Sequence, residues 1–195
     1  MMFLQGAYYI SKMKFKYKKQ YRLPDFDYSD DGEYFITICT QDHKRYFGKI
    51  RNGKMILSVT GKVVDKIWNK ITDKFKNVEL DVYQVMPNHF HGILIIKNQN
   101  CRNLIDQIPQ EFKSGIKNNP MELNSVSLGG IIRWFKGRVK FEARSLDHDF
   151  KWQSRFHDRI IRDEKEFYFI REYIINTPGN WGNGILKKYF KNVGI

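Results

Sequence analysis

Two runs of strand-forming residues, 80–86 and 90–96, stand on either side of Pro87-Asn88. The second run, Phe90-His91-Gly92-Ile93-Leu94-Ile95-Ile96, is almost wholly apolar over its last four residues. A continuous apolar run of that length reads as a central strand, paired on both edges, rather than as a half-exposed one. Everything else in the chain must supply a sheet around it and helices to cover it.

The rest of the sequence meets that demand. Residues 34–40 (YFITICT) are β-branched and aromatic and read as a buried strand. Residues 46–50 and 54–57 flank Asn52-Gly53, a two-residue hairpin signal. Val63, Ile67 and Ile71 then recur at helical spacing with Val64, Trp68 and Phe75, predicting one helix over 60–74. Leu128, Ile132, Phe135 and Val139 share one face of a second helix over 128–144, with Arg133, Lys136, Lys140 and Arg144 opposite. A third helix is predicted over 163–176: Asp163 can cap it, Glu166 completes a capping-box pattern, and Thr177-Pro178-Gly179 stops it. Strands and helices in this order predict an α+β fold, a central antiparallel sheet with packed helices. Residues 98–125 are polar, contain Pro109 and Pro120, and read as a loop.

The chain has 195 residues, enough for one domain, taken as 21–185 behind a basic N-terminal arm over 1–20. Residues 12–22 carry six basic side chains and no acid, interleaved with Phe15, Tyr17 and Tyr21. Thirty-four Lys and Arg against 21 Asp and Glu give a net charge of +13, which favours a polyanionic partner, nucleic acid before anionic membrane. No segment has 18 consecutive apolar residues, so no membrane span is expected. The N-terminus lacks the pattern of a secretory signal. Cys39 and Cys101 fit no metal or redox spacing, and a reduced, cytoplasmic protein is the simplest expectation.

Chemistry concentrates in Met86-Pro87-Asn88-His89-Phe90-His91-Gly92. Alternate side chains of a strand share a face, so His89 and His91 point one way and Phe90 the other. Two imidazoles on one strand face can bind a divalent metal, although a His-x-His pair by itself is equally satisfied by hydrogen bonds in a core. His43 and His148 have no such pattern around them.

The segment VMPNHFHGILII resembles the HUH motif of the single-strand tyrosine transposases, above all the REP-associated tyrosine transposases and their insertion-sequence relatives. Three further blocks resemble the same family in the same order: YRLPDFDYSDDGEYFITICTQDHKRYFGKI, SLGGIIRWFKG and WQSRFHDRIIRDEKEFYFIREYIINTPGNW. The resemblance spans most of the chain from Tyr21 to Trp181. It implies a ferredoxin-like (RRM-like) HUH nuclease fold and a DNA transposase that cuts and rejoins single-stranded or hairpin DNA. Tyr173, in Tyr173-Ile174-Ile175-Asn176-Thr177-Pro178, falls on the family's nucleophile, with Tyr168 as its nearest rival. His89 and His91 fall on the metal ligands, with Mg2+ or Mn2+ as the implied cofactor.

The family usually carries Asn or Gln four residues after the tyrosine, where it can complete the metal site. Here that position is Thr177, and Asn176 precedes it, so either residue, water or substrate is left to fill it. A DNA-facing role is implied for Trp152, Gln153, Arg155 and Arg162, and the cationic stripe of Arg133, Lys136 and Lys140 fits the same partner. For Trp152, a place in the core is the competing reading. Enzymes of this kind occur as monomers and as homodimers, and in a homodimer Tyr173 of one copy can meet the histidines of the other. The implied setting is the bacterial cytoplasm, at the nucleoid. A hairpin-binding relative that does not cut, a rolling-circle initiator and an RNA-processing enzyme are the alternatives, and the chain has no phosphate-loop motif to support the second of these.

Overall fold

A computed structural model describes residues 30–97 and 127–182. The basic arm over 1–20 and the loop over 98–125 lie outside the described residues. In chain order the elements are β1 (Gly32–Cys39), β2 (Gly48–Arg51), β3 (Lys54–Leu57), α1 (Val59–Asn69), α2 (Ile71–Lys74), β4 (Val78–Met86), β5 (His89–Ile96), α3 (Leu128–Ala143), β6 (His157–Ile161) and α4 (Glu164–Asn176).

Four strands form one sheet in the order β4-β5-β1-β6, and each neighbouring pair is antiparallel. Leaving aside the β2–β3 hairpin and the short α2, the chain runs β1-α1-β4-β5-α3-β6, the split βαββαβ pattern of ferredoxin-like folds. The predicted α+β architecture is therefore the observed one. β5 lies between β4 and β1, which is why its sequence is apolar without alternation.

The two faces of the sheet are covered by different helices. Tyr34, Ile36 and Ile38 of β1, with Phe90 and Leu94 of β5, pack against Ile67 and Trp68 of α1 and Ile131 and Phe135 of α3. Phe35 and Ile93, pointing the opposite way, pack with Ile161 of β6 and with Ile170 and Ile174 of α4. Phe90 thus belongs to the main core, and the strand period of two sends His89 and His91 to the α4 side.

Gly92 is required by this packing. A Cβ there would lie 2.7 Å from Cζ2 of Trp68, whose indole lies against β5. The β2–β3 hairpin turns at Asn52 and Gly53, with φ of 50° and 71°. Both central residues are left-handed, as the Asn-Gly signal predicts.

Two local expectations changed. The single helix over 60–74 is broken at Lys70, because the Lys70 N–H bonds back to the carbonyls of Ile67 and Trp68, and α2 restarts at Ile71. β6 had no strand signal: HDRII is short, half polar and at the sheet edge, where one face and one rim need no apolar cover. The helix over 163–176 starts as expected, with Asp163 Oδ1 accepting from the Glu166 N–H at 2.8 Å. Glu166 reaches back to the Arg162 N–H at 3.0 Å and pairs with the Arg159 guanidinium on β6, which ties the start of α4 to the sheet edge.

Candidate active site

His89 opens β5 and sits opposite Met86 of β4 and Cys39 of β1. His91 sits two residues on, opposite Gln84 and Thr37. Both imidazoles are buried, with ring centroids 4.4 Å apart.

Each ring is held through Nδ1. The Asn88 amide nitrogen donates to the His43 carbonyl at 3.2 Å, so the amide oxygen faces His89, whose Nδ1 lies 2.7 Å away. That oxygen can only accept. Nδ1 of His89 therefore carries the proton, and Nε2 carries the lone pair. Nδ1 of His91 lies 2.8 Å from the Thr37 hydroxyl. Burial, reinforced by the neighbouring His43, lowers the pKa of His89 to about 3. Burial, reinforced by His89, holds His91 well below its ordinary value. At neutral pH both rings are uncharged, the form in which imidazole donates to a metal.

Tyr173 comes from the third turn of α4, and its hydroxyl oxygen lies 3.4 Å from Nε2 of His91 in the same chain. Phe35 of β1 orients the pair: it stacks on His91 at 5.5 Å and meets the Tyr173 ring edge-on at 6.1 Å. Tyr168 is 67% exposed, on the outside of the same helix. Of the two tyrosines weighed from the sequence, only Tyr173 is brought to the histidines.

Thr177 lies one helical turn beyond Tyr173 and is buried. Its hydroxyl donates to the Tyr173 carbonyl at 2.7 Å. Asn176 is exposed, and its amide nitrogen is held by the Glu172 carbonyl at 2.7 Å and by the Glu172 carboxylate at 3.2 Å. Among the described residues, no group of three or more His, Cys, Asp or Glu gathers to hold a metal. The residues present fit the nitrogen share of a divalent cation: two neutral imidazoles, anchored through Nδ1, beside a phenol oxygen.

The predicted DNA-facing residues divide. Arg133, Arg144, Arg155 and Arg162 are exposed. Lys136 is half buried, and its ammonium donates to the carbonyls of Gln153 and Ser154 at 2.7 and 3.0 Å. Burial lowers its pKa. Lys140 donates to the Phe150 carbonyl and lies over the Phe150 ring. Trp152 packs between Phe47 and Phe150, each at 5.1 Å, so the core reading of this residue describes its position. The Gln153 backbone N–H bonds to the Cys39 carbonyl, and its side-chain amide approaches the His43 ring at 3.5 Å.

Sequence reasoning missed Thr37, His43 and His157 as neighbours of the site. Thr37 is a polar residue set between Ile36 and Ile38 in the apolar part of β1, which was its signal. His157 stands opposite Thr37 on β6, in the same cross-sheet row as His91 and Gln84. No sequence signal placed it there, because β6 itself was not predicted.

No helix among the described residues is long and apolar enough to cross a membrane. No family model matches the chain. A solved REP-associated tyrosine transposase bound to a REP hairpin shares the fold, with a TM-score of 0.54 at 16% identity over 85% of this chain and 75% of that one. An uncharacterized protein of Haemophilus influenzae is 36% identical over 169 residues, which cover 85% of this chain and 90% of the relative. At that identity and coverage, the chain belongs to the same family as the Haemophilus influenzae protein.

Proposed function

We propose that the protein is a metal-dependent DNA transposase that cuts and rejoins single-stranded hairpin DNA through a 5′-phosphotyrosine. The observation that carries this reading is the 3.4 Å approach of the Tyr173 hydroxyl to Nε2 of His91 within one chain. A core needs no phenol beside two neutral, buried imidazoles; a site that passes through a phosphotyrosine does. The net charge of +13 and the fold shared with a transposase that holds a REP hairpin support the same substrate.

The residues divide the work. His89 and His91, locked through Asn88 and Thr37, would hold Mg2+ or Mn2+. When bound, such a cation neutralises charge on the non-bridging oxygens of the scissile phosphate. Phe35 and the α4 backbone hold the Tyr173 ring beside the imidazoles. The Tyr173 oxygen attacks phosphorus as its proton passes to solvent. The bond from phosphorus to the 3′ oxygen breaks, and that oxygen leaves as a 3′-hydroxyl after taking a proton from solvent. A 3′-hydroxyl from a second strand reverses the sequence and releases the tyrosine. Bond energy is conserved in the phosphotyrosine, so no nucleotide triphosphate is needed. Tyrosine and histidines meet in one chain, so cleavage by a single copy is expected.

The test is a denaturing gel. Labelled single-stranded hairpins taken from the DNA flanking the gene are incubated with protein and Mn2+. A covalent band is expected with wild type and is absent with Tyr173→Phe and with His89→Ala/His91→Ala. An adduct that persists in Tyr173→Phe sinks the reading. Thr177 motivates a second one, a hairpin-binding protein that does not cut, because its hydroxyl is engaged at the Tyr173 carbonyl where the resemblance implies an amide. That reading predicts hairpin affinity insensitive to EDTA and no adduct with any metal.

A further inference from the structure

The turn between β1 and β2 is an exposed loop in an unfavourable conformation. Asp42 and His43 both have left-handed backbones, with φ of 55° and 52°, in a stretch with no buried side chain from Gln41 to Arg45. Side chains with a Cβ resist that region, so the loop must be over-determined by its contacts. It is. The Thr40 hydroxyl is bound to the carbonyls of Lys44 and Asn88, the Gln41 N–H donates to the Lys151 carbonyl, and the Asn88 amide holds the His43 carbonyl. Asn88 is the residue that also orients His89. The loop is therefore built onto the histidine site, and its outward side chains have a fixed place beside it.

One of these side chains meets the far end of α4. After Asn176 the chain turns back, and the Trp181 ring lies 5.9 Å from His89, tilted by 32°. The exposed Arg45 guanidinium lies 5.9 Å from the centre of the same indole. Trp181 is half buried, although the main core lies on the other side of the sheet. An aromatic plane with a guanidinium at its face is the pairing that grips single-stranded nucleic acid: the ring takes a base and the cation takes a phosphate.

We propose that Trp181 and Arg45 form a nucleotide-binding step beside the histidine pair, in which one base flanking the cleavage point packs on the indole and its phosphate pairs with Arg45. This rests on the reading of the histidine site as one for single-stranded DNA. It assigns that site a contact to a base as well as to a phosphate.

The test reads binding rather than cleavage. Anisotropy of the labelled flanking hairpin is followed in EDTA, with an abasic position walked through its single-stranded flank. Wild type is expected to lose about tenfold in affinity at one position, the usual worth of a stacked base. Trp181→Leu loses about tenfold on intact DNA and nothing further at that position, whereas Trp181→Phe keeps most of the affinity. Arg45→Gln lowers the slope of log affinity against log salt by about one. An abasic penalty undiminished in Trp181→Leu overturns the proposal, as does wild-type affinity in that variant. Binding that follows the expected pattern without any Tyr173 adduct removes the cleavage reading and leaves this step standing.

Discussion

The Thr37 hydroxyl lies 2.8 Å from Nδ1 of His91, across the β1–β5 pairing, where both are buried. Such an outer contact fixes the direction of the opposite nitrogen, and its loss commonly costs a metal site 10–100-fold in affinity (~1.4–2.7 kcal/mol). Thr37→Val keeps the shape and removes the hydroxyl. It is expected to weaken Mn2+ binding by about tenfold or more and to slow adduct formation, while Thr37→Ser retains both. Mn2+ titration followed by electron paramagnetic resonance checks this. Equal affinity in Thr37→Val and wild type would show that β5 alone orients His91.

The neutral histidines make the fold acid-sensitive. His89, with a pKa of about 3, and His91, held well below 6.5, both bind protons more weakly in the folded chain than in the unfolded one. His157, lowered by burial, has the same sign. The stability they supply is fully present above pH 6.5. It is lost as pH falls from 6.5 toward 3, at about 1.4 kcal/mol per pH unit for each histidine that stays neutral. Urea midpoints in EDTA should therefore drop between pH 7 and pH 5, and His89→Asn should flatten that slope. A midpoint unchanged over this window would contradict the burial of the pair.

Gly92 makes a sharper stability prediction. Its place opposite Tyr83 of β4 leaves the Trp68 ring only 2.7 Å from an added Cβ, with the Phe90 ring at 3.0 Å. Gly92→Ala should cost about 1–3 kcal/mol, because neither ring can move away inside the main core. Thermal unfolding reads the loss. Trp68→Phe in the same chain should recover part of it, and no recovery would mean that the clash lies elsewhere.

Periodicity accounts for most of what was legible. The step of two along β5 separates Phe90 from His89 and His91, and helical spacing found the buried faces of α1 and α3. What escaped the sequence depends on contacts between distant segments, on local hydrogen bonds and on a short polar strand. Trp152 reads equally as a base-stacking or a core residue, and its packing against Phe47, more than 100 residues earlier, is what the sequence does not show. The break at Lys70 comes from local hydrogen bonding that apolar spacing cannot register. β6 is too short and too polar to announce itself, and with it went the row that joins His157 to Thr37 and His91.

The same blindness bears on the cationic stripe of α3, where four residues that look alike in sequence stand in two different surroundings. Lys136 and Lys140 bind the carbonyls of Phe150, Gln153 and Ser154, a segment whose backbone lies largely outside regular structure. Arg133 and Arg144 are exposed. Lys136→Met and Lys140→Met should therefore lower the melting temperature by a few degrees, through carbonyls left without a donor. Arg133→Gln and Arg144→Gln should leave melting unchanged. If α3 faces DNA, each arginine change should also lower the salt slope of hairpin binding by about one. Melting curves and salt titrations on the four variants separate the roles. A lysine variant that loses salt slope without losing stability would return Lys136 and Lys140 to the DNA-binding face.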